Sequence, residues 1–209
     1  MKKLSFVFFI LLLSLKGYSQ VFNLVEELRK GRLEFLNRQN DKYGVNNIKI
    51  SVGSGEGLVW LKNKKFKTGT IEVDIKGEEI FQKSFVGIAF HGQNDSTYEA
   101  IYFRPFNFHA KDSVRKIHAV QYIAHPQFTW KHLRDFRNGE FEKDIKNAPD
   151  PNDWFHAKIV VLPNTITVFV DNNPEPVLVV KRLFLNKKGR IGLFLGDGSG
   201  GEYKNLNIY

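Results

Sequence analysis

The chain contains no cysteine in its 209 residues. Disulfides and lipidation through a cysteine are excluded, so stability must come from a packed core. Metal-binding patterns are equally scarce. There is no H-x-x-x-H, no H-E-x-x-H and no Cys cluster, which argues against a transition-metal site. The chain also lacks a Gly-x-Ser-x-Gly elbow, a phosphate loop, a dinucleotide fingerprint, an internal repeat and any low-complexity tract.

Long apolar runs are almost absent too. The exception is Leu4 to Leu15, preceded by Lys2 and Lys3 and followed by "GYSQ". This run is too short to span a bilayer easily and reads as a secretory signal peptide over residues 1–20, cut near Ser19 or Gln20. The expectation is a secreted or periplasmic protein with no stable membrane insertion. About 189 residues then remain, enough for one substantial core and short for two. Without Lys2, Lys3 and Lys16 the 31 basic residues fall to 28 against 22 acidic ones, a surplus of six. The charges are interspersed, as on a solvated surface with a mild basic bias. Only "LKNKKFK" (Leu61–Lys67) approaches a nucleic-acid patch, and it reads as a turn with solvated lysines, so no nucleic-acid partner is expected.

Strand signals dominate what is there. Residues 21–46 read as a partly helical N-terminal extension, with Leu24, Leu28 and Phe35 loosely on one face and Gly31 interrupting. From residue 47 to 209, short alternating segments such as "NIKISV", "GTIEVDI", "SFVGIAFH", "YEAIYFR", "HAVQYI", "WFHAKIVVL", "TITVFVD" and "GRIGLFLG" are separated by turn-forming residues. The predicted fold is all-β: an antiparallel β-sandwich with a short N-terminal helix. Residues 125–153 lose the alternation and carry Pro126, Gly139, Pro149 and Pro151. Excursions of this length tend to be functional or to cover something.

The C-terminal order "DWFHAKIVV", "ITVFVDN", "GRIGLFLG", "EYKNLNIY" resembles the end of a concanavalin A-like, or laminin G-like, jelly roll. More specifically, "FKTGTIEVDIKG", "SFVGIAFHG", "YEAIYFRPFNF", "AVQYIAHPQFTWKHLR" and "PDPNDWFHAKIVV" make Ile48 to Tyr209 similar to secreted bacterial domains known as 3-keto-disaccharide hydrolases, or family 16-like glycoside hydrolases. The resemblance implies a carbohydrate ligand and a glycoside hydrolase-like activity on a glycan or keto-disaccharide. A lectin-like binding module and a structural or partner-binding sandwich stay open beside it, because a fold does not fix a function.

Family 16 enzymes place two carboxylates on one strand face about 5–5.5 Å apart. Here Glu72 and Asp74 share a face, but Lys76 takes the next position and Glu78 follows Gly77. Two solvated strand carboxylates are the expected reading. The stretch "YEAIYFRPFNF" (Tyr98–Phe108) is more informative. Alternation assigns Glu99, Ile101 and Phe103 to one face, with Ile101 and Phe103 in the core. Tyr98, Ala100, Tyr102 and Arg104 take the other. By the same parity Ala89 and His91 point outward, and Ala119 and Gln121 share a face. His91, Tyr102, Arg104 and Gln121 are therefore expected on one concave sheet face. His91 and Glu99 are the candidate acid/base residues. Tyr102, Arg104, Asn107, Gln121 and Trp130 are the candidate substrate-binding residues, since rings beside a few placed polar groups suit a sugar. No cofactor is expected. A structural calcium ion at Asn94–Asp95 or Asp171–Asn173 stays open, although neither turn alone supplies the six to eight oxygens it needs.

Overall fold

A computed structural model of the chain describes residues 20–184 and 188–209; the expected signal peptide lies outside the described residues apart from Gln20. The strands in chain order are β1 Gln20–Phe22, β2 Leu33–Leu36, β3 Asn40–Tyr43, β4 Asn47–Ile50, β5 Gly57–Phe66, β6 Gly69–Lys76, β7 Val86–Asn94 and β8 Thr97–Phe103. They continue with β9 Val120–Ala124, β10 Glu142–Lys143, β11 Trp154–Val161, β12 Thr165–Val170, β13 Leu178–Lys181, β14 Gly189–Leu195 and β15 Gly201–Ile208. The α-helices among the described residues are α1 Leu24–Arg29, α2 Ser113–Lys116 and α3 Trp130–Phe136, and a single 3-10 turn spans Pro105–Asn107. None of the described helices is long and apolar enough to cross a membrane.

Two antiparallel sheets face one another. The first runs β13-β12-β11-β6-β15-β4-β3, with β1 added beside β15; the second runs β10-β9-β8-β7-β14-β5-β2. The predicted all-β sandwich with a short N-terminal helix is the fold found. The expected boundary at Asn47 marks no break. β1 and β3 join the first sheet, β2 joins the second, and the helix is α1, capped by the Asn23 side chain. The "LKNKKFK" lysines also sit differently from expectation: most of that stretch is the end of the ten-residue strand β5.

The two sheets are buried in different ways. In β6, β11 and β12 buried apolar residues alternate with partly exposed, mostly polar ones, the pattern of a sheet with one wet face. Glu72 and Asp74 lie on that wet side. Asp74 pairs with His156 Nδ1 at 2.7 Å, and Glu72 accepts from the Tyr209 hydroxyl at 3.1 Å. They belong to the sheet opposite the candidate strands, so they form no catalytic pair there. The middle of the second sheet is buried on both sides: β8 is buried from Tyr98 to Phe103 and β9 throughout. Its inner face packs on the first sheet, as where Phe103 meets Phe155 edge-on at 5.0 Å. Its outer face must therefore be roofed by something other than a sheet.

Candidate functional site: a roofed cleft on the outer face of the second sheet

The roof comes from the irregular segments. Phe81, Gln82 and Phe85 arrive from the β6–β7 loop. Phe106, Asn107, Val114, Arg115 and His118 arrive from the stretch between β8 and β9. Trp130 and Arg134 come from α3, so the long excursion does cover the sheet. Together with Tyr102, Arg104 and Phe194 of the floor, they enclose a cleft of about 630 Å³. Glu56 and Asp197 complete the rim. Their loops are fixed by Arg38, whose buried guanidinium donates to the carbonyls of Ser199, Gly55 and Gly196 at 3.0, 2.9 and 2.6 Å.

The floor is aromatic by design of register. Gly87 on β7 is paired on one side with Tyr102 and on the other with Phe194, and the two rings close over it to 5.2 Å. A Cβ at Gly87 would lie 2.1 Å from the Ile101 carbonyl oxygen, so only glycine fits. From Tyr102 the edge-to-face contacts continue through Phe85 and Phe106 to Phe81 at the rim, with centroids 6.1, 5.3 and 5.7 Å apart.

The polar part of the floor unites three of the predicted residues. The Tyr102 hydroxyl donates to Gln121 Oε1 at 2.7 Å, and Arg104 donates to both that hydroxyl, at 2.7 Å, and Gln121 Oε1. Arg104 also reaches the His118 carbonyl at 2.9 Å. Burial pushes the Tyr102 hydroxyl up to about 12, so it stays a neutral donor. Burial pulls the Arg104 guanidinium down from its usual range, but an arginine keeps its charge in a protein. Asn107 lies in the same wall. Its Nδ2 donates to the His118 carbonyl at 3.2 Å and its Oδ1 accepts from Arg115 at 3.3 Å, so its amide braces the wall. Trp130, 44% exposed, stands at the rim with Arg134 stacked on it at 5.3 Å.

His91 and Glu99 are not in this cleft. Between Phe90 and Asn94 the pairing with β8 slips, and His91 takes φ of 53°. A bulge breaks two-residue alternation, so the histidine expected outward beside Ala89 turns to the inner face. There it stacks on Phe66 at 5.7 Å. Its Nε2 must donate to the Lys67 carbonyl, 2.6 Å away, because a carbonyl can only accept. Nδ1 lies 2.7 Å from Glu99 Oε1. Glu99 shares the inner face with Ile101 and Phe103 as parity predicts, and it also accepts from Tyr122 at 2.6 Å and Arg182 at 2.5 Å. Burial raises the Glu99 carboxyl, but hydrogen bonds from His91, Arg182 and Tyr122 outweigh it and hold it below the ordinary range. This carboxylate is fully buried, ionised and saturated with donors. A general acid needs the opposite: a raised pKa and a path to substrate.

Sequence reasoning missed a second cluster in the cleft wall. Glu142 on β10 sits beside Gln121 on β9 and is 2% exposed. Arg134 donates to it at 3.0 and 3.3 Å, Arg104 lies 3.6 Å away, and His118 Nδ1 is 2.7 Å away. Burial is the main reason the His118 imidazole titrates below its ordinary value; Glu142 opposes that shift, while Arg134 and Arg104 reinforce it. The only signals in the sequence were the irregular excursion carrying Arg134 and Glu142, and a histidine just ahead of β9.

Among the described residues no group of three or more His, Asp or Glu side chains is placed to hold a metal ion. The oxygens offered for calcium are engaged locally. Asp95 accepts from Trp60 Nε1 and Arg190, Asn94 from the Ser96 amide, Asp171 from the His156 amide and Asn173 from the Glu175 amide.

The chain is a jelly-roll sandwich with a roofed, aromatic and cation-lined cleft on one sheet, and its family match makes it a carbohydrate-related domain. The likeness to solved structures agrees on the fold. The chain is similar to the carbohydrate-binding module CBM66 from Bacillus subtilis, with TM-score 0.60 and 13% identity over 85% of this chain and 96% of that one. It is also similar to a β-glucanase from Bacillus licheniformis, with TM-score 0.58 and 14% identity over 92% and 98%. A third likeness is to a putative glycosyl hydrolase from Parabacteroides distasonis, with TM-score 0.52 and 12% identity over 85% and 88%. No curated protein sequence matches. Residues 27–209 match the family model for 3-keto-alpha-glucoside-1,2-lyase-like domains, and the chain belongs to that family.

Proposed function

We propose that this protein binds a 3-keto-glucoside in the outer-face cleft and cleaves its glycosidic bond by elimination across C1 and C2. The observation that carries the reading is the cleft floor, where Arg104, Tyr102 and Gln121 form one hydrogen-bonded group within an aromatic wall. Rings take the apolar face of a sugar, and a buried cation with neutral donors takes its oxygens. A ketone at C3 makes the C2 proton acidic. Removing it leaves an electron pair that becomes the C1=C2 bond as the C1–O bond breaks onto the aglycone oxygen. No water is consumed and no pair of carboxylates is required. The absence of a family 16 dyad, with Glu72 and Asp74 on the opposite sheet, therefore stops being an obstacle.

The proposed site of action is extracytoplasmic, a reading supported by the charged and apolar start of the sequence. The test is to incubate the protein with a nitrophenyl 3-keto-α-glucoside and with the unoxidised glucoside. Release of nitrophenol from the keto-sugar alone, with an unsaturated keto-sugar as co-product, is expected. Binding without turnover would instead make the domain a lectin-like module, and a saturated sugar product would make it a hydrolase.

A further inference from the structure

Elimination needs a base at C2, and the cleft walls hold few. Beside Tyr102, whose hydroxyl burial keeps neutral, the titratable side chains lining them are Glu56, Arg104, Arg115, His118, Arg134 and Asp197. Three are arginines. Glu56 accepts from the Tyr98 hydroxyl at 2.6 Å and lies 3.3 Å from His125 Nε2. Burial raises its carboxyl, but those two partners outweigh it and make it a poor proton acceptor. Asp197 Oδ1 accepts from the Gly55 amide at 2.6 Å. His118 is different. Its Nδ1 faces Glu142 Oε2 at 2.7 Å, while Nε2 has no hydrogen-bond partner among the described residues. The carboxylate beside Nδ1 can only accept and its negative charge favours the ring proton on that nitrogen, which leaves Nε2 its lone pair.

We propose that His118 Nε2 is the base that removes the C2 proton and that Glu142 is the residue positioning its imidazole. This rests on the elimination reading above. The proton moves from C2 to Nε2; the C2 electron pair is first held as an enolate over C2, C3 and the C3 oxygen. That pair then forms C1=C2 as the C1–O bond breaks on the opposite face of the ring, the departing aglycone oxygen takes a proton from water, and the imidazolium returns its proton to solvent. The products are an enone sugar and an alcohol, and the base is regenerated. The surroundings suit the intermediate. Arg104 and Arg134 carry two positive charges against one on Glu142, so the wall beside His118 has a surplus cation where an enolate oxygen develops. The downward shift of the His118 imidazole keeps it in its basic form at neutral pH. The Nδ1–Glu142 contact is an ion-pair approach of 2.7 Å without hydrogen-bond geometry, so Glu142 acts on the imidazole through its charge and proximity.

The probe is the 3-keto derivative of 1,5-anhydroglucitol, which has the acidic C2 proton and no leaving group. Exchange of that proton in deuterated water is followed by NMR, beside nitrophenol release from the keto-glucoside. Wild type is expected to exchange and to cleave. His118→Gln is expected to lose roughly a hundredfold or more of both, the usual reach of a general base, with its melting temperature monitored. His118→Ala is expected to regain exchange when free imidazole is added, a rescue that a purely structural histidine would not show. Glu142→Gln removes the group that holds the His118 imidazole up, so the acidic limb of kcat/KM is expected to move to lower pH. Exchange by folded His118→Gln within threefold of wild type overturns the assignment and leaves the elimination reading intact. A wild type that neither exchanges nor cleaves overturns both.

Discussion

Strand β8 feeds two buried polar clusters, one on each face, and they are built to opposite ends. On the inner face Glu99 is ringed by His91, Tyr122 and Arg182, and His91 is also tied to the Lys67 carbonyl. On the outer face Tyr102, Arg104 and Gln121 meet His118, Arg134 and Glu142. Both clusters have a histidine, a carboxylate, a tyrosine and an arginine. The inner one sits between the sheets with its carboxylate saturated. The outer one opens on a cleft of about 630 Å³, and among the described residues His118 Nε2 has no hydrogen-bond partner. Residue types alone do not distinguish a scaffold from a site; the face of the strand and the unspent hydrogen-bonding capacity do.

The largest effect is expected at Arg104. Arg104→Ala removes the buried cation that joins the Tyr102 hydroxyl and Gln121 Oε1 and one of the two arginines beside Glu142. A loss of about 3–5 kcal/mol in unfolding free energy is expected from removing one partner of a buried ionic group. Urea denaturation and calorimetric titration with the keto-sugar should show reduced stability and no measurable binding together.

Glu99→Gln comes next and separates the clusters. It is expected to lower stability by about 3 kcal/mol while leaving cleavage per folded molecule unchanged. Its pH dependence has a definite sign. The Glu99 carboxyl is held below its ordinary 4.5 in the folded protein, so its contribution is complete above that value and disappears as pH falls toward the folded value. The stability difference between wild type and Glu99→Gln should be level near neutrality and shrink below about pH 4.5.

Trp130→Ala should do least. The ring is half-exposed at the rim, and a ring contact contributes about 0.5–1.5 kcal/mol. KM for the keto-glucoside should rise roughly threefold to tenfold by that scale, with kcat and melting temperature little changed.

The difference between the clusters also explains what the sequence disclosed. Alternation in β6, β11 and β12 made the sandwich legible because one face of the first sheet is wet and the other dry. The same parity correctly divided β8 into Ile101 and Phe103 against Tyr102 and Arg104, and it joined Tyr102 to Gln121. It failed at His91 because a bulge with positive φ inserts residues that the two-residue rhythm does not count. His118, Arg134 and Glu142 were hidden for another reason. His118 lies on irregular chain, Arg134 on the seven-residue helix α3 and Glu142 on the two-residue strand β10, elements too short to show a periodicity, and only tertiary folding brings 24 residues of separation, from His118 to Glu142, down to 2.7 Å. A readable hint existed in β8 and β9: strands without a polar side belong to a sheet covered on both faces.

The account turns on which of the two clusters does the chemistry. Nitrophenol release from the 3-keto-α-glucoside, measured side by side for Glu99→Gln and His118→Gln and normalised to folded protein, tests this most directly. The account predicts a Glu99→Gln rate within threefold of wild type and a His118→Gln rate roughly a hundredfold lower. The reverse order, with Glu99→Gln inactive and His118→Gln active, would contradict it and return the chemistry to the inner face.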